Sequence, residues 1–184
     1  MTATRDVQST TSVPRLHLAF ELSWNQWKLA FTIGHGQAAR LRTMAARDLA
    51  GLLREIAKAK RRLGLTDDAA VVSCYEAGRD GFWLHRWLAS QGIANVIVDS
   101  ASIEVNRRKR RAKSDRLDAA KLVSMLLRYH AGEKKVWSVV RVPEVADEDR
   151  RQLHRELIAV QDERTSTSTA SRGSWPARAS PCRL

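Results

Sequence analysis

The chain has 184 residues, of which 43% are hydrophobic and 28% are charged. This length suits one domain of ordinary size, and the apolar content excludes a chain that is disordered throughout. No apolar run approaches the ~20 residues of a membrane span, and two cysteines are too few for a disulfide framework, so we expect a cytoplasmic protein. The net charge of +12 favours a polyanionic partner, and nucleic acid is the commonest one.

The N-terminal third predicts three antiparallel strands behind a disordered leader, residues 1–14. Alternating apolar residues predict a first strand over 16–22 and a second over 27–33. Glycines at 34 and 36 permit a tight reversal into a third strand over about 37–44, because glycine tolerates a positive φ. This part of the chain is therefore expected to form a β-meander.

Helices and buried strands then alternate. Apolar residues at helical spacing predict a helix over 49–63, and a second helix is expected over 80–90. The apolar runs at 69–75 and 95–98 lack polar alternation, which is typical of strands buried on both faces. The predicted order is βββαβαβ, and the fold class is α/β with a mixed sheet flanked by helices.

The C-terminal part is predicted to be mainly helical. One helix begins at Asp115, and a short extended stretch is expected around 136–142. Helical spacing over 147–163 leaves an apolar stripe that is narrow enough to be half of a helix–helix seam, so this helix predicts a homo-oligomer. Residues 165–184 are rich in Ser and Thr and show no period, which indicates a disordered tail or a frame-shifted gene product.

Four carboxylates occupy positions where an α/β sheet usually builds its site. Glu21 lies on the first strand, and Glu76 lies at the carboxyl end of the fourth. Asp115 and Asp118 are three residues apart, so they share one face at the start of a helix. Four such charges would repel one another unless cations held them together, and two Mg²⁺ ions would suit phosphodiester chemistry.

A basic segment precedes the aspartate pair and is expected to contact phosphates. Seven cations crowd into ten positions: Arg107, Arg108, Lys109, Arg110, Arg111, Lys113 and Arg116. Such a run repels itself unless anions lie opposite it, although a solvated loop is the alternative.

Structural interpretations also remain open for the carboxylates. Glu21 could be a solvent-facing residue of the meander, and Glu76 could cap the following turn. Asp115 suits a helix N-cap, with Asp118 in the first turn. The four acids together are more specific than any one of them.

Other candidates are less specific. Trp24 and Trp27 flank a turn, and either stacking on bases or burial would explain them. His85 is expected to be a helix-surface or packing residue, and Cys74 is expected to be an inert buried thiol.

Two segments carry a resemblance to a known family. Cys74-Tyr75-Glu76-Ala77-Gly78 with Phe82-Trp83-Leu84, and the segment from Arg111 to Ala119 (RAKSDRLDA), strongly resemble the DEDD-type transposases of the insertion sequence 110 family. The resemblance covers about 15–164. It implies a ribonuclease H-like (RuvC-like) domain and Mg²⁺-dependent cleavage and joining of DNA strands, in some members guided by an RNA that the element encodes.

Carried over by position, Glu76, Asp115 and Asp118 match the second, third and fourth acids of that family. Glu21 stands where the first acid is usually Asp. The resemblance implies a catalytic domain over 15–142 and the start of a helical linker over 143–164. The family's second domain, with its nucleophilic serine, has no counterpart here, so we expect a truncated transposase.

The sequence leaves two further functions open. One is a remnant that binds nucleic acid and catalyses nothing, and the other is a RuvC-like nuclease that resolves DNA junctions.

Overall fold

A computed structural model describes residues 14–78, 82–103 and 115–172, apart from the side chains of 115–118, 166 and 168–172. The chain divides into two compact units, Met1–Arg141 and Val142–Leu184.

The described part of the first unit alternates strands and helices. The strands are β1 (Leu16–Leu22), β2 (Gln26–Thr32), β3 (Arg40–Ala45), β4 (Val71–Glu76) and β5 (Ala94–Val98). The α-helices are α1 (Leu49–Arg62), α2 (Trp83–Ser90) and α3 (Asp115–His130). In chain order the three first strands precede α1, and β4, α2 and β5 follow it before α3. These elements confirm an α/β fold with a mixed sheet flanked by helices.

The five strands form one sheet in the order β3-β2-β1-β4-β5. β2 runs antiparallel to both β1 and β3, whereas β4 runs parallel to β1 and β5 runs parallel to β4. β1, β3, β4 and β5 therefore all end at the same side of the sheet, which we call the carboxyl edge. Parallel strands usually open their ligand sites at this edge.

Helix α3 covers one face of the sheet. Side chains alternate between faces along a strand, so Ala19 and Cys74 lie on one face while Phe20 and Tyr75 lie on the other. The first face and α3 share a buried cluster: Ala19, Ala30, Val72, Cys74, Val98, Ala119, Leu122, Val123, Met125, Leu126, Val136 and Trp137. The apolar stripe of α3 is what attaches this helix to the sheet.

Helices α1 and α2 cover the opposite face. The Trp27 ring on β2 lies 6.1 Å from the Trp83 ring at the start of α2. Arg42 on β3 forms an ion pair of 3.8 Å with Glu55 on α1. The sheet is therefore sandwiched between two helical layers.

Local signals account for the ends of α1. Asp48 accepts a hydrogen bond of 2.8 Å from the Gly51 N–H, which satisfies a free donor of the first turn. Gly64 adopts a φ of 71°, which suits glycine and lets the chain leave the helix.

One expectation about a strand needs correction. β5 was expected to be buried on both faces, but its first three residues are exposed or half-buried because it lies at the edge of the sheet. The short extended stretch expected around 136–142 is confirmed: Trp137 has an extended backbone, and Val139 forms an isolated antiparallel bridge to Val98. Helix α2 begins at Trp83 rather than at residue 80, and residues 79–81 lie outside the described part.

The second unit contains helix α4 (Val145–Arg172). It extends nine residues beyond the expected end at 163, into the Ser/Thr-rich segment. Thr165 and Thr167 donate hydroxyl hydrogen bonds of 2.9 Å to the carbonyls of Gln161 and Glu163. These bonds satisfy the hydroxyls within the helix, which explains why the Ser/Thr-rich composition does not end the helix at 163. Residues 173–184 of the expected tail lie outside the described part.

Among the helices of the described residues, none is both long enough and apolar enough to cross a membrane.

Candidate functional site

The two glutamates are neighbours at the carboxyl edge. The parallel register pairs Ala19 with Cys74 and Phe20 with Tyr75, so the next residues, Glu21 and Glu76, lie side by side on β1 and β4. Both lie on the face that α3 covers. Glu21 follows Ala19 by two positions and Glu76 follows Cys74 by two, and Ala19 and Cys74 belong to the cluster beneath α3. Glu21 is half-buried and Glu76 is exposed. The structure therefore brings together two of the four predicted acids.

Helix α3 runs antiparallel to β1 and begins near the carboxyl edge. At one end, the ring of His130 lies 5.7 Å from the ring of His17 near the start of β1. Further along, the Cys74 thiol donates to the Leu122 carbonyl at 3.8 Å, and Cys74 is level with Ala19. The N-terminal turns of α3 consequently extend toward the ends of β1 and β4.

The backbone positions of the aspartates follow from this register. Asp118 precedes Leu122 by one helical turn, which is about 6 Å along the axis. Glu21 follows Ala19 by two strand residues, about 6.6 Å. Asp118 is thus level with the two glutamates along the strand direction, and Asp115 lies one further turn toward the start of the helix. The side chains of both aspartates lie outside the described part.

The strand register also surrounds Glu21 with charge. Lys28 on β2 is opposite Glu21, and Glu76 on β4 is on the other side. Like charges side by side in a sheet repel, while a lysine opposite a carboxylate is favourable. Lys28 therefore offsets the negative charge of Glu21 on one side. A cation bound between Glu21 and Glu76 would relieve the repulsion between the two glutamates on the other side.

No group of three or more His, Cys, Asp or Glu residues in the described side chains is arranged to hold a metal ion. The side chains of Asp115 and Asp118 are not among these described side chains. The donor set is nevertheless chemically suited to Mg²⁺, which prefers carboxylate oxygens.

Most of the residues predicted to contact phosphates lie outside the described part. Residues 107–111 and Lys113 lie outside the described part, and Arg116 is described only as a backbone position in α3. The segment joins β5 to α3, so both of its flanking elements meet the carboxyl edge.

Sequence reasoning missed two polar residues at this edge. Lys28 could have been found from the register of the β1–β2 hairpin, which places it opposite Glu21. Asp99 directly follows β5, so the rule that selected Glu76 also selects it. The Asp99 carboxylate accepts a hydrogen bond of 3.0 Å from the Ala101 N–H, and this contact gives it a structural role at the following 3-10 turn.

The structure decides the alternatives for several other residues. Trp24 is 66% exposed, whereas Trp27 is buried at 1% exposure and belongs to the core. Cys74 is fully buried, and burial raises the pKa of its thiol, which confirms an inert group. The Asn95 amide Nδ2 donates a hydrogen bond of 3.0 Å to His85 Nδ1, and the Asn95 Oδ1 accepts from the buried Ser73 hydroxyl at 2.8 Å. These bonds tie α2 to β4 and β5, so His85 has a packing role.

The fold and the site together define a class: an α/β protein with a mixed five-stranded sheet and acidic residues at its carboxyl edge. The chain is similar to a protein of Sinorhizobium fredii (strain NBRC 101917 / NGR234) named "Putative transposase y4rJ". The two sequences are 41% identical over 154 residues, which is 81% of this chain and 38% of the relative. The chain thus spans well under half the length of that curated protein. No protein-family model matches the chain.

Proposed function

We propose that this chain is the catalytic sheet domain of a DNA transposase. The similarity to a protein named as a transposase supports the class of function. The observed α/β sheet is compatible with a ribonuclease H-like (RuvC-like) fold. The sequence motifs around Glu76 and Asp115 support the finer assignment to the DEDD-type transposases of the insertion sequence 110 family.

The observation that carries this proposal is the shared level of the acids. Glu21 and Glu76 are neighbours on one face of the sheet, and the backbone of Asp118 is level with them on the helix that covers that face. A purely structural role for each acid would not require three elements to converge on one edge.

The proposed site binds two Mg²⁺ ions through Glu21, Glu76, Asp115 and Asp118. Bound Mg²⁺ would activate the attacking oxygen and stabilise the leaving oxygen of a phosphodiester. The protein would contribute the carboxylate ligands and hold them at fixed places through the packing of α3. The cations of residues 107–116 would hold the DNA backbone near these acids.

One observation favours a second candidate, a domain that binds nucleic acid without catalysis. Lys28 is the register partner of Glu21, so Glu21 has a cation opposite it without any metal. In that case the edge would be electrostatically balanced by lysine and would need no divalent ion.

Thermal unfolding in a Mg²⁺ titration separates the two candidates. Metal binding to the folded state stabilises it by about 2.7 kcal/mol when the ion is at one hundred times its Kd. We expect this gain in the wild type and its loss in Asp118→Ala. Asp67→Asn is the matched control, because Asp67 is an exposed acid before β4, at the opposite side of the sheet.

A rise in Tm with Mg²⁺ in the control, and no rise in Asp118→Ala, would support the catalytic proposal. A wild-type chain whose Tm ignores Mg²⁺ and Mn²⁺, while it still binds DNA, would instead support the second candidate. A cleavage assay on four-way junctions with Mg²⁺ tests the related possibility of a junction nuclease.

We also propose that α4 mediates self-association. Leu153, Leu157 and Val160 recur at spacings of four and three residues, and all three are largely exposed within the described chain. This spacing is typical of a helix–helix seam. Sedimentation should show a concentration-dependent oligomer that Leu157→Glu dissociates and Glu156→Gln does not; a monomer at all concentrations would contradict the proposal.

DNA as the substrate, and an element-encoded guide RNA as a partner, remain part of the proposed function.

A further inference from the structure

An exposed tryptophan stands at the tip of the β1–β2 hairpin. Trp24 lies in the three-residue loop between Leu22 and Gln26, and two thirds of its surface is exposed. Burial of a large aromatic side chain is normally strongly favourable, and the neighbouring Trp27 is buried in the core. The hairpin therefore presents one indole to solvent at a place where it does not contribute to the core.

A cation lies over this ring. The guanidinium carbon of Arg47 is 5.1 Å from the centre of the Trp24 ring, within the range of a cation–π contact. Arg47 follows β3 and has a φ of 65°, a left-handed conformation that is uncommon for residues other than glycine. Glycine would adopt this turn at a lower cost, so Arg47 carries backbone strain that a glycine at this position would not.

Backbone hydrogen bonds hold the two segments together. The Ala46 N–H donates to the Asn25 carbonyl at 3.0 Å, which links the turn after β3 to the hairpin loop. Within the loop, the Ser23 hydroxyl donates to the Gln26 carbonyl. After Arg47, Asp48 caps α1 through the Gly51 N–H. The relative position of the indole and the guanidinium is therefore built into the fold.

The pair is located at the carboxyl edge. Trp24 follows Glu21 by three residues, and Arg47 follows the end of β3, which finishes at the same edge as β1. A strand of nucleic acid that reaches the acids from the β3 side of the sheet would meet this pair.

We propose that Trp24 and Arg47 form a platform on which an unpaired DNA base stacks while its strand lies at the carboxyl edge. An indole offers a flat surface to any base, and an arginine beside it offers a charge to the adjoining phosphate. The chain's net charge of +12 favours a polyanion over an apolar peptide as the occupant. This inference rests on the proposed function, because it assumes that DNA approaches the acidic edge.

The test compares the affinities of variants of the full chain for three oligomers: a 12-nucleotide thymidine strand, an abasic strand of equal length, and a duplex. Trp24→Ala should weaken binding to the thymidine strand about tenfold, since stacking on an aromatic side chain has effects of this size. Binding to the abasic strand and to the duplex should change less than about twofold, because neither presents an unpaired base. Trp24→Phe should retain most of the affinity, since a phenyl ring also stacks.

Arg47→Gly separates a binding role from a structural one. Glycine relieves the left-handed strain, so the Tm should not fall, while affinity for the thymidine strand should fall about threefold. Arg62→Ala removes another exposed cation, from the end of α1 at the opposite side of the sheet, and serves as the control for a general loss of charge.

The outcomes distinguish the two proposals. A wild-type chain that binds none of the three oligomers overturns the proposed function and the platform with it. Wild-type affinity for the thymidine strand that Trp24→Ala fully retains overturns the platform alone. A uridine RNA strand serves as a fourth ligand, and a Trp24 effect seen on RNA but absent on DNA would overturn DNA as the occupant.

Discussion

The layer between β1 and α3 has two ends that differ in how their polar groups are satisfied. At the start of β1, His17 is buried against the ring of His130, and Tyr129 links His130 to Trp137 through further ring contacts. At the carboxyl edge, Glu76 is exposed and Glu21 is half-buried beside it. We call the end of the layer at the start of β1 the histidine end.

This difference separates stability from the proposed chemistry. The histidine end packs rings together and leaves the His17 Nδ1 buried without a hydrogen-bond partner among the described residues. The carboxyl edge keeps charged groups in contact with solvent, where a substrate can reach them. One helix, α3, spans both ends, so packing at the histidine end and along the middle of the helix also positions its aspartates.

The largest expected effect comes from the packed middle of this layer. Leu126 on α3 is fully buried within the cluster that joins the helix to the sheet. Leu126→Ala should lower the free energy of unfolding by about 2–5 kcal/mol, because it leaves a cavity in a packed core. Urea unfolding measures the change. Leu53→Ala on α1 is the control, since Leu53 is partly exposed. An equal loss of free energy of unfolding in Leu53→Ala would contradict the larger contribution assigned to the packed layer between β1 and α3.

An intermediate effect is expected from acidification of the histidine end. Burial, with contributions from the charges of His130 and Arg15, lowers the pKa of His17 to about 4. Burial also lowers the pKa of His130, with Arg15 and Lys134 contributing. Between about pH 6.5 and pH 4 the unfolded chain binds more protons than the folded chain. The free energy of unfolding is therefore highest above pH 6.5 and decreases as the pH falls toward 4.

Urea unfolding of the wild type and of His17→Leu from pH 7.5 to pH 4 isolates this contribution from that of the carboxylates. We expect the free energy of unfolding of the wild type to fall by about 2 kcal/mol more than that of His17→Leu. This figure is smaller than the pKa shift of His17 alone implies, because solvent screens the charge of the exposed His130. Parallel pH profiles for the two proteins would show that His17 does not destabilise the fold on protonation.

The smallest expected effect belongs to the carboxyl edge. Glu76→Gln removes one of two neighbouring negative charges and keeps the shape of the side chain. The free energy of unfolding without metal should stay within about 0.5 kcal/mol of the wild type, or rise slightly as the repulsion is lost. A loss as large as that of Leu126→Ala would instead assign Glu76 a role in holding the fold.

Much of the fold was accessible from local patterns. Alternating apolar residues predicted β1 and β2, and the apolar run before Glu76 predicted β4 as a strand buried on both faces, because each pattern reflects direct contact with the core. The helix over 147–163 was also predicted, but its extension to Arg172 was not. Composition alone did not reveal that Thr165 and Thr167 could bond to the helix's own carbonyls.

The candidate site was accessible only in part. The rule that parallel strands open at their carboxyl ends selected Glu76, and helical spacing selected Asp115 with Asp118. Lys28 was missed, since its role depends on the pairing register of two strands. The convergence of all four side chains stays a prediction, as does the contact of residues 107–116 with phosphates.

By itself, the sequence determined the strands, the helices and the positions along the chain that carry acids, because these depend on neighbours within a few residues. Only the tertiary structure decided which residues meet across the sheet: that Glu21 lies beside Glu76, that α3 starts near them, and that Trp24 rather than Trp27 reaches solvent beneath Arg47. Strand register and helix direction are set by the packing of distant segments against one another, and no local pattern contains that information.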